Sequence, residues 1–376
     1  MGELPVKIMC VVGARPNFIK AAPVVEALRK WPRAQVRLIH TGQHHDKEMS
    51  KVFFEELGLP TPDDDLQVGA GTHGEQTGLI MIRFEAVLKE EHPDLVMVFG
   101  DVNSTVAASL CAAKLGIKVA HVEAGLRSFD RSMPEELNRI VTDHLSDYLF
   151  VTECSGRENL LREGISEDKI FFVGNVMVDT LLKHRDRARA YDFRGKLGLG
   201  EGSFGVLTLH RPSNVDDPKT LEKILDTISE VAKELPIVFP CHPRTRQQLD
   251  RSRYKHVQDR TQKSSGLIVV EPLGYMEFLS LLSEARLVLT DSGGIQEETT
   301  VLGIPCLTLR ENTERPVTIE QGTNVLVGTS PYRIMTAISK VLNGACSEGR
   351  VPDLWDGKAA ERIAEILLNS MARPAL

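Results

Sequence analysis

Residues 287–298 read Leu-Val-Leu-Thr-Asp-Ser-Gly-Gly-Ile-Gln-Glu-Glu. The pattern places a short apolar strand before Asp291 and a helix start at Ser292-Gly293-Gly294, with Glu297 and Glu298 one turn further in. Glycines at a helix start let backbone N–H groups approach a ligand closely, and the helix N-terminus favours an anion there. A carboxylate one turn in can accept hydrogen bonds from vicinal hydroxyls, as a ribose presents. Phosphate at one end and sugar at the other would make a nucleotide grip that needs neither metal nor P-loop. A Ser-Gly-Gly cap followed by a solvated glutamate pair is the structural alternative.

Other chemistry-bearing residues fall where apolar runs end. After the first come Gly13-Ala14-Arg15-Pro16-Asn17 and Lys20; after later ones come Thr41-Gly42-Gln43-His44, Gly100-Asp101, His121-Val122-Glu123, His210-Arg211 and Cys241-His242. Arg15 and Lys20 beside a glycine turn suit a diphosphate, or else a salt-bridged helix start. Asp101 reads in isolation as a helix N-cap. Glu123 closes an apolar strand and precedes Gly125, so it should sit partly buried at a sheet edge. Glu135 and Glu136 follow Pro134 at a helix start, where carboxylates suit the dipole in any case. His210 at a strand end could hydrogen-bond a phosphate or move a proton, or be a satisfied structural histidine; for His242 the structural role is favoured. His121 and Glu123 lack a third partner at ligand spacing, and the chain has no H-E-x-x-H, so a metal site is rejected.

These residues need sheets to hold them. Predicted strands at 6–12, 36–41, 95–99, 118–122, 148–152, 170–173, 204–209, 236–240, 267–270, 286–290 and 305–308 alternate with amphipathic segments such as 74–91, 104–115, 135–146, 218–234 and 275–284. Alternation of this kind with Val-, Ile- and Leu-rich strands predicts an α/β protein with parallel sheets covered on both faces. The length of 376 residues suits two domains. The expected division is 1–174, 175–355 and a C-terminal helix within 356–376 that returns to the first domain. Two Rossmann-like domains facing a cleft would follow, with ligands outside the strands' carboxyl ends. A formal charge of −7 argues against nucleic acid as the main partner. No apolar stretch is long enough to span a bilayer, and residues 1–12 read as a first strand rather than a signal peptide. Six scattered cysteines without a C-x-x-C pair suggest free thiols in a reducing cytoplasm.

Taken together the motifs resemble the non-hydrolysing UDP-N-acetylglucosamine 2-epimerases. The matching stretches are G-A-R-P-N-F-I-K (13–20), T-G-Q-H (41–44), G-D-V-N-S-T (100–105), H-V-E-A-G-L-R-S (121–128), P-E-E-L-N-R (134–139), G-N-V-M-V-D-T (174–180), D-S-G-G-I-Q-E-E (291–298) and R-E-N-T-E-R-P (310–316). They run in the family's order over nearly the whole chain. The resemblance implies a GT-B fold and interconversion of UDP-GlcNAc and UDP-ManNAc through a 2-acetamidoglucal intermediate, with no added cofactor. It implies Asp101, Glu123, Glu135 and His210 as catalytic, and Arg15, Lys20 and Arg139 as substrate-side groups. Ser292, Gly293 and Gly294 match the phosphate turn, Glu298 the ribose carboxylate, Arg315 a substrate arginine, and Leu273 and Phe278 the uracil contacts. Some members are activated by a second UDP-GlcNAc through the T-G-Q-H loop, which Gln43 and His44 match; family members are commonly dimers. One departure stands out: the family's H-R-x-E-N is His210-Arg211-Pro212-Ser213-Asn214 here. A GT-B glycosyltransferase with the same nucleotide grip is the rival reading, as is an epimerase for a modified UDP-sugar.

Overall fold

A computed structural model describes residues 5–43, 54–252, 254, 266–345 and 348–371. Its strands divide between two sheets, and every pairing is parallel. The first contains β1 (Val6–Val12), β2 (Ala34–His40), β3 (Asp64–Asp65), β4 (Leu95–Phe99), β5 (Lys118–Ala124), β6 (Tyr148–Val151) and β7 (Ile170–Phe172), in the order β3-β2-β1-β4-β5-β6-β7. The second contains β8 (Gly205–Thr208), β9 (Ile237–Pro240), β10 (Leu267–Val270), β11 (Leu287–Thr290), β12 (Cys306–Thr308) and β13 (Asn324–Leu326), in the order β10-β9-β8-β11-β12-β13. Both sheets wind outward in two directions from a central pair, β1–β4 and β8–β11. These are Rossmann-like, doubly wound sheets of the GT-B type.

The strand sequences explain the layering. In the second sheet Leu207, Ile237, Phe239, Leu287 and Leu289 join one apolar cluster, while their neighbours Val206, Val238 and Val288 join another. Side chains alternate across a pleated sheet, so these two sets face opposite ways and both faces are dry. The helices Pro218–Ala232 and Pro331–Leu342 supply Ile224, Ile228, Ile334 and Ile338 to the first cluster; Tyr275–Ser283 supplies Leu281 and Leu282 to the second. In the first sheet Met9, Val11, Val96, Val98 and Val119 pack with Phe84 and Leu88 of the helix His73–Glu91. That helix opens on a capping box, in which Thr72 Oγ1 accepts from Glu75 N and the Glu75 carboxylate from Thr72 N.

The chain divides into two compact units, residues up to Lys183 together with those from Asp353 onward, and His184–Pro352. The division falls within the helix Val176–Arg189. The helix Ala359–Ser370 packs on Arg15–Arg29 in the larger unit. Trp355, fully buried, donates to Thr152 O at 2.9 Å, and Asp179 accepts from Ala359 N and Ala360 N at 3.1 and 2.7 Å. Burial pushes the Asp179 carboxyl up to about 6 against the pull of those two donors. Among the described residues no cysteine is bridged, and no helix is long and apolar enough to cross a membrane.

Candidate active site

In doubly wound sheets ligands meet the carboxyl ends of strands where the winding reverses. In the larger unit that point lies between β1 and β4. Asn17, 2% exposed in the first turn of the helix Arg15–Arg29, stitches it. Its Oδ1 accepts from Gly13 N and Ala14 N at 3.2 and 3.1 Å, and its Nδ2 donates to Phe99 O at 2.7 Å. One turn on, Lys20 reaches Glu123 in an ion pair, and both side chains are nearly inaccessible. Glu123, next to last in β5, has φ +75°, and the register against β6 slips around it, between Val122 and Ala124. A long side chain held left-handed costs roughly 1–3 kcal/mol, a cost that clusters at functional sites. Gly125 follows with φ +79°, and a Cβ there would collide with the Gly156 carbonyl.

A buried charged group supports this strand end. Asp143 accepts from His121 Nδ1 at 2.6 Å and Gly125 N at 3.1 Å, and pairs with Arg127 at 2.7 Å. Burial opposes its ionisation, but His121 and Arg127 outweigh that and hold the carboxyl below its usual range. The other nitrogen of His121 lies 2.8 Å from Gly100 O, so this histidine braces the turn before Asp101. Asp101 is not the helix cap, a position taken by Val102. Its Oδ2 instead accepts from Arg139 Nε at 2.9 Å. Arg139 also pairs with Glu136, whose carboxylate takes Ser128 N and Oγ at 3.0 Å and Phe129 N at 2.8 Å. Of the adjacent glutamates, Glu136 is thus committed to the 128–129 turn. Glu135 stands half-buried on the first turn of Pro134–Leu145, one turn before Arg139. Arg15 opens its helix, half-buried. Gln43 Oε1 accepts from Ser104 N and Oγ at 2.9 and 2.6 Å, serving the start of the helix Asn103–Lys114. His44 lies outside the described residues.

In the smaller unit the winding reverses between β8 and β11, and Asp291 is the stitch. Wholly buried at the end of β11, it accepts from His210 N at 3.1 Å, Arg211 N at 3.0 Å and Asn214 Nδ2 at 3.1 Å, all just past β8. The His210 ring is half-exposed and places Nδ1 2.8 Å from Asp291 Oδ1. Burial works against the Asp291 charge, yet His210 and the backbone donors keep the carboxyl below the usual range. His242 caps the helix Pro243–Asp250 through Nδ1 and lies 6.1 Å from the His210 ring, centroid to centroid.

The helix Gly293–Leu302 begins at Ser292, whose side chain makes no capping hydrogen bond. Arg315 packs onto that start: a Cβ on Gly293 would collide with its guanidinium. The guanidinium pairs with Glu297 at 2.8 Å and Glu314 at 2.6 Å, and Glu314 also takes Arg310 at 2.8 Å and Arg211 at 3.6 Å. Three arginines on two carboxylates, added to a helix N-terminus, make this strand end suited to an anion. Gly294 lies in the first turn, half-buried. Glu298 is buried, and burial pushes its carboxyl up to about 8, Glu297 adding to the effect while the Tyr275 hydroxyl at 3.3 Å works against it. Leu273 and Phe278 are half-buried against the cluster that includes Val270 and Leu281.

Each unit therefore gathers its own sequence-nominated groups: Lys20 with Glu123 and Asp101 with Arg139 in one, Ser292, Gly293 and Arg315 in the other. Asn17, Asp291, Asn214 and Glu314 lie within the motifs read from the sequence, but the partners that make the first three stitches and the last a hub were not foreseen there. The predicted strands 204–209 and 286–290 end directly before His210 and Asp291, which was the available signal; the observed β8 and β11 end two residues and one residue before them. Among the described residues no three His, Cys, Asp or Glu side chains are grouped to share a metal ion.

Comparison with known proteins agrees with this layout. A family model described as UDP-N-acetylglucosamine 2-epimerase matches residues 26–368. The UDP-N-acetylglucosamine 2-epimerase of Methanocaldococcus jannaschii is 45% identical over 367 residues, 96% of this chain and 98% of that protein. The UDP-2,3-diacetamido-2,3-dideoxy-D-glucuronate 2-epimerase of Pseudomonas aeruginosa is 42% identical, with 96% and 99% covered. The crystal structure of the M. jannaschii enzyme in complex with UDP-GlcNAc and UDP is similar with a TM-score of 0.88, over 97% of this chain and 100% of that one at 45% identity. With matches of this extent across both sheets, the chain belongs to the UDP-N-acetylglucosamine 2-epimerase family.

Proposed function

We propose that this enzyme interconverts UDP-GlcNAc and UDP-ManNAc by elimination and re-addition of UDP. A base takes the C2 proton, the C1–O bond breaks with its electron pair passing to the β-phosphate, and an enzyme-held 2-acetamidoglucal remains. UDP then re-adds to C1 while an acid delivers a proton to the opposite face of C2. The C2 proton is poorly acidic, so departure of UDP must carry much of the developing charge, and groups facing the diphosphate matter as much as the base.

In this reading the larger unit supplies the acid and base from Asp101, Glu123 and Glu135, with Arg15, Lys20 and Arg139 on the substrate side. The smaller unit grips UDP: Ser292, Gly293, Gly294 and Arg315 take the phosphates, Glu298 the ribose hydroxyls, Leu273 and Phe278 the uracil. His210 faces the diphosphate and the reacting centre. The observation that carries the reading is Glu123, a buried carboxylate paired with Lys20 and held in a strained backbone conformation at a strand end. No added cofactor is invoked. The enzyme would act in the cytoplasm as a homodimer and supply ManNAc-type sugars for cell-surface polysaccharide, with Gln43 and His44 in the loop that binds an activating second UDP-GlcNAc in some relatives.

Incubation with UDP-GlcNAc alone in D₂O tests this directly. Deuterium should enter C2 of both epimers with no acceptor sugar present; exchange-free substrate would sink the proposal and favour a glycosyltransferase. A modified UDP-N-acetylhexosamine is the second reading, supported by the P. aeruginosa relative and by Ser213 where the family often has glutamate. A panel of UDP-sugars assayed for epimer formation separates the two.

A further inference from the structure

We infer that Asp291 is a positioning residue for His210, holding the imidazole with its hydrogen on Nδ1 and turned inward so that Nε2 is the atom that meets the ligand. The inference rests on the reading that His210 serves the reaction at the diphosphate.

The observation is an excess of contacts. A carboxylate that merely tied β11 to β8 would be satisfied by His210 N, Arg211 N and the Asn214 amide, all within 3.2 Å of its oxygens. Asp291 has a further partner, His210 Nδ1 at 2.8 Å, and this is the one side chain among the four donors that can change its protonation. An ionised carboxylate can only accept, so the nitrogen it faces must carry the hydrogen. Asp291 is wholly buried, and its charge is stabilised by the His210 ring and by the backbone N–H groups of His210 and Arg211. The two halves of the clamp reinforce each other. Backbone hydrogen bonds to the same carboxylate fix where the His210 Cα stands, and the Nδ1 contact fixes how the ring turns. Asn214 adds a second tether by donating also to Leu309 O at 3.0 Å, so the helix start after β8 cannot slide along β11.

The chemical consequence concerns Nε2. Neutral histidine in water favours the hydrogen on Nε2, which would leave that nitrogen unable to accept. With the hydrogen held on Nδ1, Nε2 is bare when the ring is neutral and becomes a donor on gaining a proton, so it can both take up a proton and hand it on. Asp291 itself touches no substrate and transfers nothing.

The test is nitrogen NMR on the full-length chain carrying ¹⁵N-histidine, with the His210 signals assigned by their absence in His210→Gln. At a pH where the ring is neutral, the wild-type spectrum should show a hydrogen-bearing Nδ1 and a bare Nε2. In Asp291→Asn the amide can point its NH₂ at Nδ1, and the pattern should invert to hydrogen on Nε2. Turnover should then fall by about 10²–10⁴-fold in kcat, while the KM for UDP-GlcNAc moves less than about threefold. A wild-type His210 with its hydrogen on Nε2 overturns the inference whether or not the variant folds. So does an Asp291→Asn protein that keeps the wild-type pattern. Full turnover by His210→Gln alongside the expected wild-type spectrum upholds the Asp291 clamp and overturns the catalytic reading of His210.

Discussion

The two sheets wind alike, and in each a buried polar side chain joins the carboxyl ends of the central strand pair. In the larger unit the stitch is a neutral amide, Asn17, which accepts from two backbone N–H groups of the turn after β1 and donates to the last carbonyl of β4. In the smaller unit it is a carboxylate, Asp291, which only accepts. The difference matches the load each must bear. Beside Asn17 lies the Lys20–Glu123 pair, a buried ion pair whose balance a further charge would disturb. Beside Asp291 lies a histidine, and a negative stitch can orient it where an amide could not dictate which nitrogen carries the hydrogen. Under the proposed mechanism the same winding carries the C2 acid and base carboxylates in one unit and the groups that face the diphosphate, His210 among them, in the other.

The largest test of that division is Glu123→Gln. Deuterium wash-in at C2 should drop by about 10²–10⁴-fold, while UDP affinity measured by calorimetry stays near wild type, because the proposed grip lies in the other unit. A comparable loss of UDP affinity would mean the two roles are not separated as described. Next comes Asn17→Asp, which gives the larger unit the smaller unit's kind of stitch. Asp cannot donate to Phe99 O and adds a buried charge, so chemical denaturation should show a loss of about 2–4 kcal/mol; a neutral outcome would remove the reason for an amide there.

A third test uses pH. Burial raises Glu298 to about 8 in the folded chain, whereas in the unfolded chain it titrates near the usual value of 4.5. Between those values the folded state holds the proton and the unfolded state has lost it, so unfolding becomes easier as pH rises. The stabilisation is complete below about 4.5 and gone above about 8. Asp179, raised to about 6, acts in the same direction over a lower window. The decline in stability from pH 6 to pH 8 should flatten in Glu298→Gln, and an unchanged slope would contradict the assignment. If Glu298 must be ionised to accept ribose hydroxyls, UDP affinity should rise over the same interval. The smallest effect is expected for Ser292→Ala. With no capping hydrogen bond to lose, it should cost less than about 0.5 kcal/mol in thermal stability, and UDP affinity should weaken only severalfold.

Much of this was legible in the chain. β1, β4 and β10 fall where apolar runs predicted them, and the helices His73–Glu91 and Pro134–Leu145 begin within a residue of expectation. The strands stand out because both sheet faces are buried, which leaves near-continuous apolar runs such as Leu95–Phe99. β3 escaped notice because it is two aspartates, held as a strand only by parallel pairing with Ile39 and His40. β13 is short, and its Val325 is half-exposed, so no apolar run announced it. In the site, residue types announced Glu123, His210 and Gly293, but partners did not follow. Gly293 was read as clearance for a ligand, whereas the structure shows it is also clearance for Arg315. Asp101 reads locally as a cap, and only the arrival of Arg139 from a helix far along the chain gives it a different partner. Asp291 looked like the edge of a phosphate turn; its four donors come from about eighty residues earlier, which no local pattern reports.

The latch formed by Asp179, Ala359 and Ala360 has a consequence for how the chain comes apart. Asp179 lies just before the chain leaves the larger unit, and the helix it holds begins just after the chain returns. Arg362 tightens the same junction by donating to Val173 O at 3.0 Å. Exit and re-entry are thus fastened to each other inside the larger unit, which makes His184–Pro352 a guest inserted into a host whose framework closes without it. Melting of the guest need not propagate to the host, and a protease cutting within the guest would leave the host's terminal helix still moored.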